Sequence, residues 1–207
     1  MLKEKINFLT SPLLKIINKM NKIAFITGAT SGIGKATSIL LAANNWNLVI
    51  TGRRENLLLE LAESIRKTTD SKIYPLIFDV RDRKQVNQAI DSLPTEWKKI
   101  DLLVNNAGLA SGFDPLNEGD HEDWEKMIDT NVKGVLYVSQ NIANLMIPFQ
   151  KGQIINISSI AGKETYPSGN VYCASKHAVD ALTKGMRLDL LKHNIKVGLI
   201  SPGMVET

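Results

Sequence analysis

From Lys22 onward the sequence alternates short apolar runs with helix-length amphipathic stretches, and this alternation limits the fold more than any other feature. The runs Ile23–Thr27, Leu48–Thr51, Ile73–Phe78, Leu102–Val104, Ile154–Ile157 and Val197–Ile200 read as buried strands. Helices are expected between them, near Ile33–Ala43, Glu55–Lys67, Lys84–Leu93, His121–Ile147 and Gly169–His193. Strand and helix in strict alternation predict a parallel sheet covered on both faces, because right-handed crossovers lay a helix against each face. No repeat or low-complexity linker divides the pattern. A single doubly wound α/β domain follows, with ligands expected beyond the carboxyl ends of the strands.

Composition removes several other classes. A chain of 207 residues, 43% hydrophobic and 22% charged, can bury a full core and is not disordered as a whole. Of the formal charge of +4, the first twenty residues carry +3, from Lys3, Lys5, Lys15 and Lys19 against Glu4. The remainder is nearly neutral, so no nucleic-acid surface is expected. Residues 1–20 read as a leader, amphipathic or disordered, ahead of a domain spanning residues 21–207; Ser11-Pro12 is a helix-start signal. Lys15 interrupts any signal-like core, which argues against secretion. No apolar run approaches the length of a membrane span. The one cysteine, Cys173, cannot form an internal disulfide; it fits a cytoplasmic, reducing location and reads as a packing residue. His121, His177 and His193 show no metal-ligand spacing, and no metal site is expected.

The end of the first strand carries Thr27-Gly28-Ala29-Thr30-Ser31-Gly32-Ile33-Gly34. Gly28 allows a tight exit from the strand, Gly32 lets a pyrophosphate approach the backbone, and Gly34 lets the helix pack close to the sheet. The plain alternative is a Gly- and Ser-rich turn with no ligand; its position between an apolar strand and a helix favours phosphate. At the end of the second strand an NAD site usually carries an acid for the ribose 2′-hydroxyl. Here stand Arg53 and Arg54, with no acid before Glu55. Two guanidiniums suit a 2′-phosphate, so NADP(H) is expected over NAD(H), unless the arginines only solvate a loop.

Tyr172 and Lys176 lie one helical turn apart. That spacing alone carries little, since chance supplies it readily in a Lys-rich chain. Its weight comes from its companions. With Asp79-Val80 after the third strand, Asn105-Asn106-Ala107-Gly108 after the fourth, Ser159 after the fifth and Pro202-Gly203 after the sixth, the chain resembles the short-chain dehydrogenase/reductase family. The motifs run from Thr27 to Thr207 in that family's order and spacing. The resemblance implies a Rossmann-like sheet with six strands in the order 3-2-1-4-5-6. It further implies a catalytic set of Asn131, Ser159, Tyr172 and Lys176, with Ser159 rather than Ser158 matching the family serine. Cofactor contacts are implied at Gly28, Thr30, Ser31, Gly32, Ile33, Gly34, Arg53, Arg54, Asp79, Val80, Asn106, Ala107, Gly108, Tyr172, Lys176, Pro202, Gly203, Val205 and Thr207.

The chemistry can be argued beside the resemblance. Moving a hydride onto a carbonyl carbon builds negative charge on oxygen, which needs a proton and hydrogen-bond donors. A free tyrosine titrates near 10, so acid–base work near neutrality asks for neighbouring positive charge. Lys176 shares the helix face of Tyr172 and supplies it. The resemblance adds a bond from Lys176 to the nicotinamide ribose, donation from Ser159 to the substrate oxygen, and a water held by Asn131 beside Lys176. Taken singly, the plain alternatives are that Asn131 bends its helix, Ser159 caps a turn and Lys176 faces solvent.

The stretches Asn106–Gly112, Asp123-Trp124, Ile160–Lys163, Tyr166-Pro167 and Pro202–Thr207 resemble the branch that oxidises 3-hydroxy acids, including serine and allo-threonine, with NADP. Reduction of 3-oxoacyl thioesters and broad carbonyl reduction stay open as alternatives. Lys163 or an arginine is the candidate cation for a substrate carboxylate. The family pattern continues past the Pro-Gly segment with a covering loop, helices and a seventh strand, whereas this chain stops at Thr207. A missing C-terminal part is therefore expected, with the sixth strand as an exposed edge and no lid. An inactive NADP-binding module is the reading of another class. The resemblance also implies a dimer through the two long helices and leaves a tetramer in doubt.

Overall fold

The computed structural model describes residues 22–205; the leader expected at 1–20 and the cofactor contact expected at Thr207 lie outside them. Six parallel strands form one sheet: β1 (Ile23–Ile26), β2 (Asn47–Gly52), β3 (Ile73–Ile77), β4 (Leu102–Asn105), β5 (Gly152–Ile157) and β6 (Ile195–Ile200). Their spatial order is β3-β2-β1-β4-β5-β6, the order expected. The chain reverses direction across the sheet between β1 and β4, the switch point at which a doubly wound fold opens a crevice.

The connecting helices are α1 (Gly32–Ala43), α2 (Glu55–Thr68), α3 (Arg83–Asp91), α4 (His121–Ile128), α5 (Gly134–Met146) and α6 (Asn170–Leu190). Alternate side chains of each strand feed two cores. Ala24, Ile26, Leu48 and Ile50 pack with Leu58, Leu61, Ala62 and Ile65 of α2 on one face. Phe25, Val49, Leu103 and Ile154 pack with Val86 and Ile90 of α3 and Val138, Ile142 and Met146 of α5 on the other. Burying each such aliphatic side chain contributes roughly 1.5–3 kcal/mol, which is why the central strands carry almost no polar residues. Asp82 starts α3 by accepting from the amides of Lys84 and Gln85 at 2.8 and 3.1 Å, and Asp120 starts α4 by accepting from Glu122 at 2.8 Å.

Two sequence expectations need correction. β5 and β6 begin earlier than their apolar runs, because Gly152 pairs with Ile195 and Gln153 with Lys196 at the open end of the sheet, where polar side chains face water. The helix expected over His121–Ile147 is broken by a π-helical turn at Asp129–Lys133 between α4 and α5. Such a turn inserts one residue without disturbing apolar periodicity enough to be read from sequence.

Candidate active site

A cleft of about 1050 Å³ opens at the carboxyl ends of the strands. The turn after β1 shapes its floor. Gly28 and Gly32 have φ of +65° and +51°, a region that side chains rarely enter. A Cβ on Gly34 would lie 2.4 Å from the Gly28 carbonyl oxygen, so only glycine lets α1 start this close to the strand. Thr27 and Asn106 hold the turn in place: Thr27 Oγ1 accepts from the amides of Asn106 and Ala107 at 3.0 Å each. Asn106 Nδ2 donates to the carbonyls of Thr27 and Gly28 at 2.9 and 3.0 Å. The N-terminus of α1, with its partial positive charge, faces the cleft over this turn.

The two arginines after β2 are held differently. Arg54 Nη2 donates to Thr30 Oγ1 at 2.7 Å and Ser31 Oγ at 3.0 Å, which fixes its guanidinium at the rim of the glycine turn. Arg53 lies 3.5 Å from Asp79, whose carboxylate is already gripped by Arg81 through Nε and Nη2 at 2.9 and 2.7 Å. Burial alone would raise the Asp79 pKa; the Arg81 hydrogen bonds and the charges of Arg81 and Arg53 outweigh it and hold the carboxyl below its ordinary value.

At the other end of the cleft stand Ser159, Tyr172 and Lys176. Lys176 is 7% exposed, its Nζ donates to the Ile157 carbonyl at 3.1 Å and lies 5.7 Å from the Tyr172 ring centroid. Burial lowers its pKa to about 8. Gly108 leaves room for this ammonium, since a Cβ there would sit 3.4 Å from Nζ and 3.2 Å from Asn131 Oδ1. Ser159 Oγ accepts from the Ala161 amide at 3.2 Å, which leaves its hydroxyl hydrogen free to donate.

Of the sequence-derived site residues, Gly28, Thr30, Ser31, Gly32, Ile33, Arg53, Arg54, Asp79, Val80, Asn106, Ala107, Gly108, Ser159, Tyr172, Lys176, Pro202, Gly203 and Val205 line this one cleft. Gly34 and Asn131 do not. Asn131 sits behind the wall in the π turn, 1% exposed. Its Oδ1 accepts from the Leu109 amide at 2.9 Å, and its Nδ2 donates to the Leu109 carbonyl at 2.8 Å and to Ser175 Oγ at 3.0 Å. Both amide donors are thus committed, and the side chain clamps the Leu109 loop.

Lys163 also differs from expectation. It does not line the cleft, because its Nζ pairs with the buried carboxylate of Asp180, two helical turns beyond Tyr172. Asp180 Oδ1 accepts from Ser158 Oγ at 2.8 Å as well. Both serines line the cleft, but Ser158 is occupied by Asp180, while Ser159 keeps its hydroxyl hydrogen free. Sequence reasoning missed the lining residues Thr51, Phe78, Phe113 and Thr130, while Tyr166, singled out with Pro167, does line the cleft. The Tyr166 hydroxyl is pushed above its ordinary pKa by partial burial, with Cys173 and Tyr172 adding to the shift. Gly169 leaves room for its ring, since a Cβ there would lie 2.2 Å from it.

Comparison with known proteins gives one consistent result. The pattern of the family described as short chain dehydrogenase matches residues 22–207. A sulfoacetaldehyde reductase of Chromohalobacter salexigens is 42% identical over 91% of this chain and 74% of its own. The NADP-dependent 3-hydroxy acid dehydrogenase YdfG of Escherichia coli K12 is 40% identical over 88% of this chain and 72% of its own. Among solved structures, a closed form of serine dehydrogenase complexed with NADP+ superposes with a TM-score of 0.85 at 40% identity, covering 89% of this chain and 73% of that one.

Proposed function

The chain belongs to the short-chain dehydrogenase family, and from that we propose that it is an NADP(H)-dependent oxidoreductase. It interconverts a secondary or primary alcohol and a carbonyl, on a small 3-hydroxy acid or an analogue that carries another anion in place of the carboxylate. The observation that carries the reading is the presence of Tyr172, Lys176 and Ser159 in the same cleft as the glycine turn and the Arg54 guanidinium.

The residues fit a phosphorylated dinucleotide. The left-handed backbone at Gly28 and Gly32 and the start of α1 suit a pyrophosphate. Arg54, braced by Thr30 and Ser31, offers planar donors for a 2′-phosphate, with Arg53 beside it. When bound, the nicotinamide supplies the hydride to a carbonyl carbon, or accepts it from an alcohol.

In reduction, Tyr172 gives its hydroxyl proton to the carbonyl oxygen; in oxidation it takes that proton back. Lys176 favours the deprotonated tyrosine through its charge and holds its own place by donating to Ile157. Ser159 donates to the substrate oxygen, where negative charge builds. Asn131 positions the Leu109 loop against the same lysine.

The substrate class rests on the relatives. Serine, 3-hydroxy acids and the alcohol of sulfoacetaldehyde share one arrangement, a hydroxyl-bearing carbon separated by a single carbon from an anionic carboxylate or sulfonate. Self-association through α5 and α6 belongs to the same reading, supported by the exposed apolar side chains of Leu136 and Leu188 on those helices. Among the described residues no helix is long and apolar enough to cross a membrane.

The test is nicotinamide absorbance during oxidation of serine, allo-threonine, 3-hydroxypropionate and the alcohol of sulfoacetaldehyde with NADP, and during reduction of sulfoacetaldehyde and a 3-oxoacyl thioester with NADPH. Turnover on the small anions supports the reading. Turnover on the thioester alone would move the assignment to acyl reduction.

A further inference from the structure

Asp123-Trp124, singled out in the sequence, has no part in the chemistry described above, yet both residues grip the loop that joins β4 to α4. The first half of that loop starts at Gly108, where a Cβ would lie 3.4 Å from Lys176 Nζ. It reaches Asp114, whose carbonyl oxygen lies 3.5 Å from Nδ2 of Asn170, on the first turn of the helix that carries Tyr172. The segment therefore passes alongside Tyr172 and Lys176, and its Leu109, Ala110 and Phe113 line the cleft. Phe113 is 62% exposed, a large apolar ring turned to the cleft and not packed in a core.

Among the described residues, no backbone–backbone hydrogen bond involves residues 110–114. Asn131 fixes only the residue before them, Leu109. The next anchor is Asp123 in the first turn of α4, whose Oδ1 accepts from Ser111 Oγ at 2.7 Å. Its Oδ2 packs against Gly112, where φ is +64° and a Cβ would be 2.9 Å from that oxygen. Lys126 Nζ donates to the same Oδ1 at 3.2 Å and braces the carboxylate from its own helix. The Ser111 hydrogen bond and Lys126 hold the Asp123 carboxyl below its ordinary pKa, so Ser111 meets a charged acceptor at neutral pH. Such a bond is roughly twice as strong as a neutral one, and a loop without a backbone ladder depends on it for its position. Trp124 fastens the other end of the loop, packed so closely on Gly119 that a Cβ there would be 2.5 Å from its ring.

We propose that Asp123 is a positioning residue for the substrate: by latching Ser111 and Gly112 it sets Ala110 and Phe113 as the wall that holds the substrate's carbon skeleton against Tyr172. The inference rests on the functional reading above. Asp123 touches no reacting atom; it acts through the apolar wall, while the cofactor's phosphates have the glycine turn and Arg54 on the other side of the cleft. Loss of the latch is therefore felt in the KM for substrate and not in NADPH affinity.

The test removes the latch from either side, with Asp123→Ala and Ser111→Ala, and keeps an acceptor in place with Asp123→Asn. Each protein is assayed for KM and kcat on whichever substrate of the panel above the parent turns over fastest, and for NADPH affinity by fluorescence titration. The rate of chymotryptic cleavage after the exposed Phe113 and Leu116 reports on the loop itself. Asp123→Ala and Ser111→Ala are each expected to raise KM about threefold to tenfold, the size of one hydrogen bond, and to speed cleavage. In both, kcat should change less than KM, and NADPH affinity should stay within about twofold of the parent. The double variant should be no worse than Asp123→Ala alone, because one interaction is lost once. Asp123→Asn should recover most of the parent's KM, and Phe113→Ala should raise KM as the latch variants do. Unchanged cleavage overturns the latch. Faster cleavage with unchanged KM confines it to the fold and overturns the positioning role, as do losses that add in the double variant or an NADPH affinity that falls with KM. A parent chain that turns over no substrate of the panel overturns the functional reading on which the proposal stands, and is told apart because it appears before any substitution.

Discussion

Lys176 stands 5.7 Å from the Tyr172 ring centroid while its ammonium donates to the Ile157 carbonyl at the end of β5, so one helical turn and one strand end together fix the spacing between charge and phenol. The helix alone would leave a long lysine free to turn to solvent. Gly108 and the Asn131-held Leu109 loop close that route from the β4 side. The result is a cation kept in a poorly hydrated place, with its pKa lowered to about 8 by burial.

That burial has a pH signature. The folded pKa of Lys176 is depressed below its unfolded value of 10.5, so between about pH 8 and 10.5 the unfolded chain binds more protons than the folded one. Stability contributed by this group therefore rises with pH through that window, and the penalty for holding the ammonium is fully present below pH 8. Lys176→Met removes the penalty. Denaturant unfolding should find the variant more stable than the parent near neutrality by up to about 3 kcal/mol, with the gap shrinking as pH passes 8. A gap that is constant from pH 7 to 10 would contradict the assignment of a buried, titrating ammonium.

Arg54 and Arg53 should not contribute equally to cofactor choice. Arg54 is braced on Thr30 and Ser31 beside the glycine turn, whereas Arg53 leans toward a carboxylate that Arg81 already satisfies. Arg54→Ala is expected to weaken NADPH binding by about 1.5–3 kcal/mol, the range for a hydrogen bond to a charged group, and to leave NADH binding almost unchanged. Arg53→Ala should cost less. Fluorescence titration with both cofactors checks the pair, and equal losses for NADPH and NADH would remove Arg54 from the 2′-phosphate site.

Asp180 joins Ser158 and Lys163 on the far side of Ser159, pinning the segment that presents the serine. Asp180→Asn keeps the shape but weakens both partners, and should lower stability by about 1–3 kcal/mol. It should also lower kcat while leaving NADPH affinity within twofold of the parent, about the uncertainty of a single weak contact. A fall in stability with kcat intact at a temperature where the variant is folded would confine Asp180 to the fold.

Much of this was legible in the sequence, for identifiable reasons. Gly28, Gly32 and Gly34 mark backbone geometry that few other residues tolerate, and Tyr172 with Lys176 is a spacing within one helix. The strands followed from their apolar runs, and their order from the family resemblance. What stayed hidden depends on residues brought together by the fold from distant positions. Lys163 reads as a candidate cation for a substrate carboxylate until α6 sets Asp180 beside it. The clamp of Asn131 on the Leu109 loop was hidden, because the π turn keeps the apolar face in step while rotating that amide onto the loop.

The central claim is that Tyr172 carries the proton for hydride transfer in a cleft that holds NADP(H). Tyr172→Phe removes one oxygen and leaves the glycine turn, Arg54 and Lys176 in place. The deciding measurement is its turnover on a substrate the parent accepts, paired with an NADPH titration of the same preparation. Turnover reduced by about a hundredfold to ten-thousandfold, with NADPH affinity retained, is the predicted result. Near-parent turnover with the cofactor bound would contradict the account, because the proton would then come from another group.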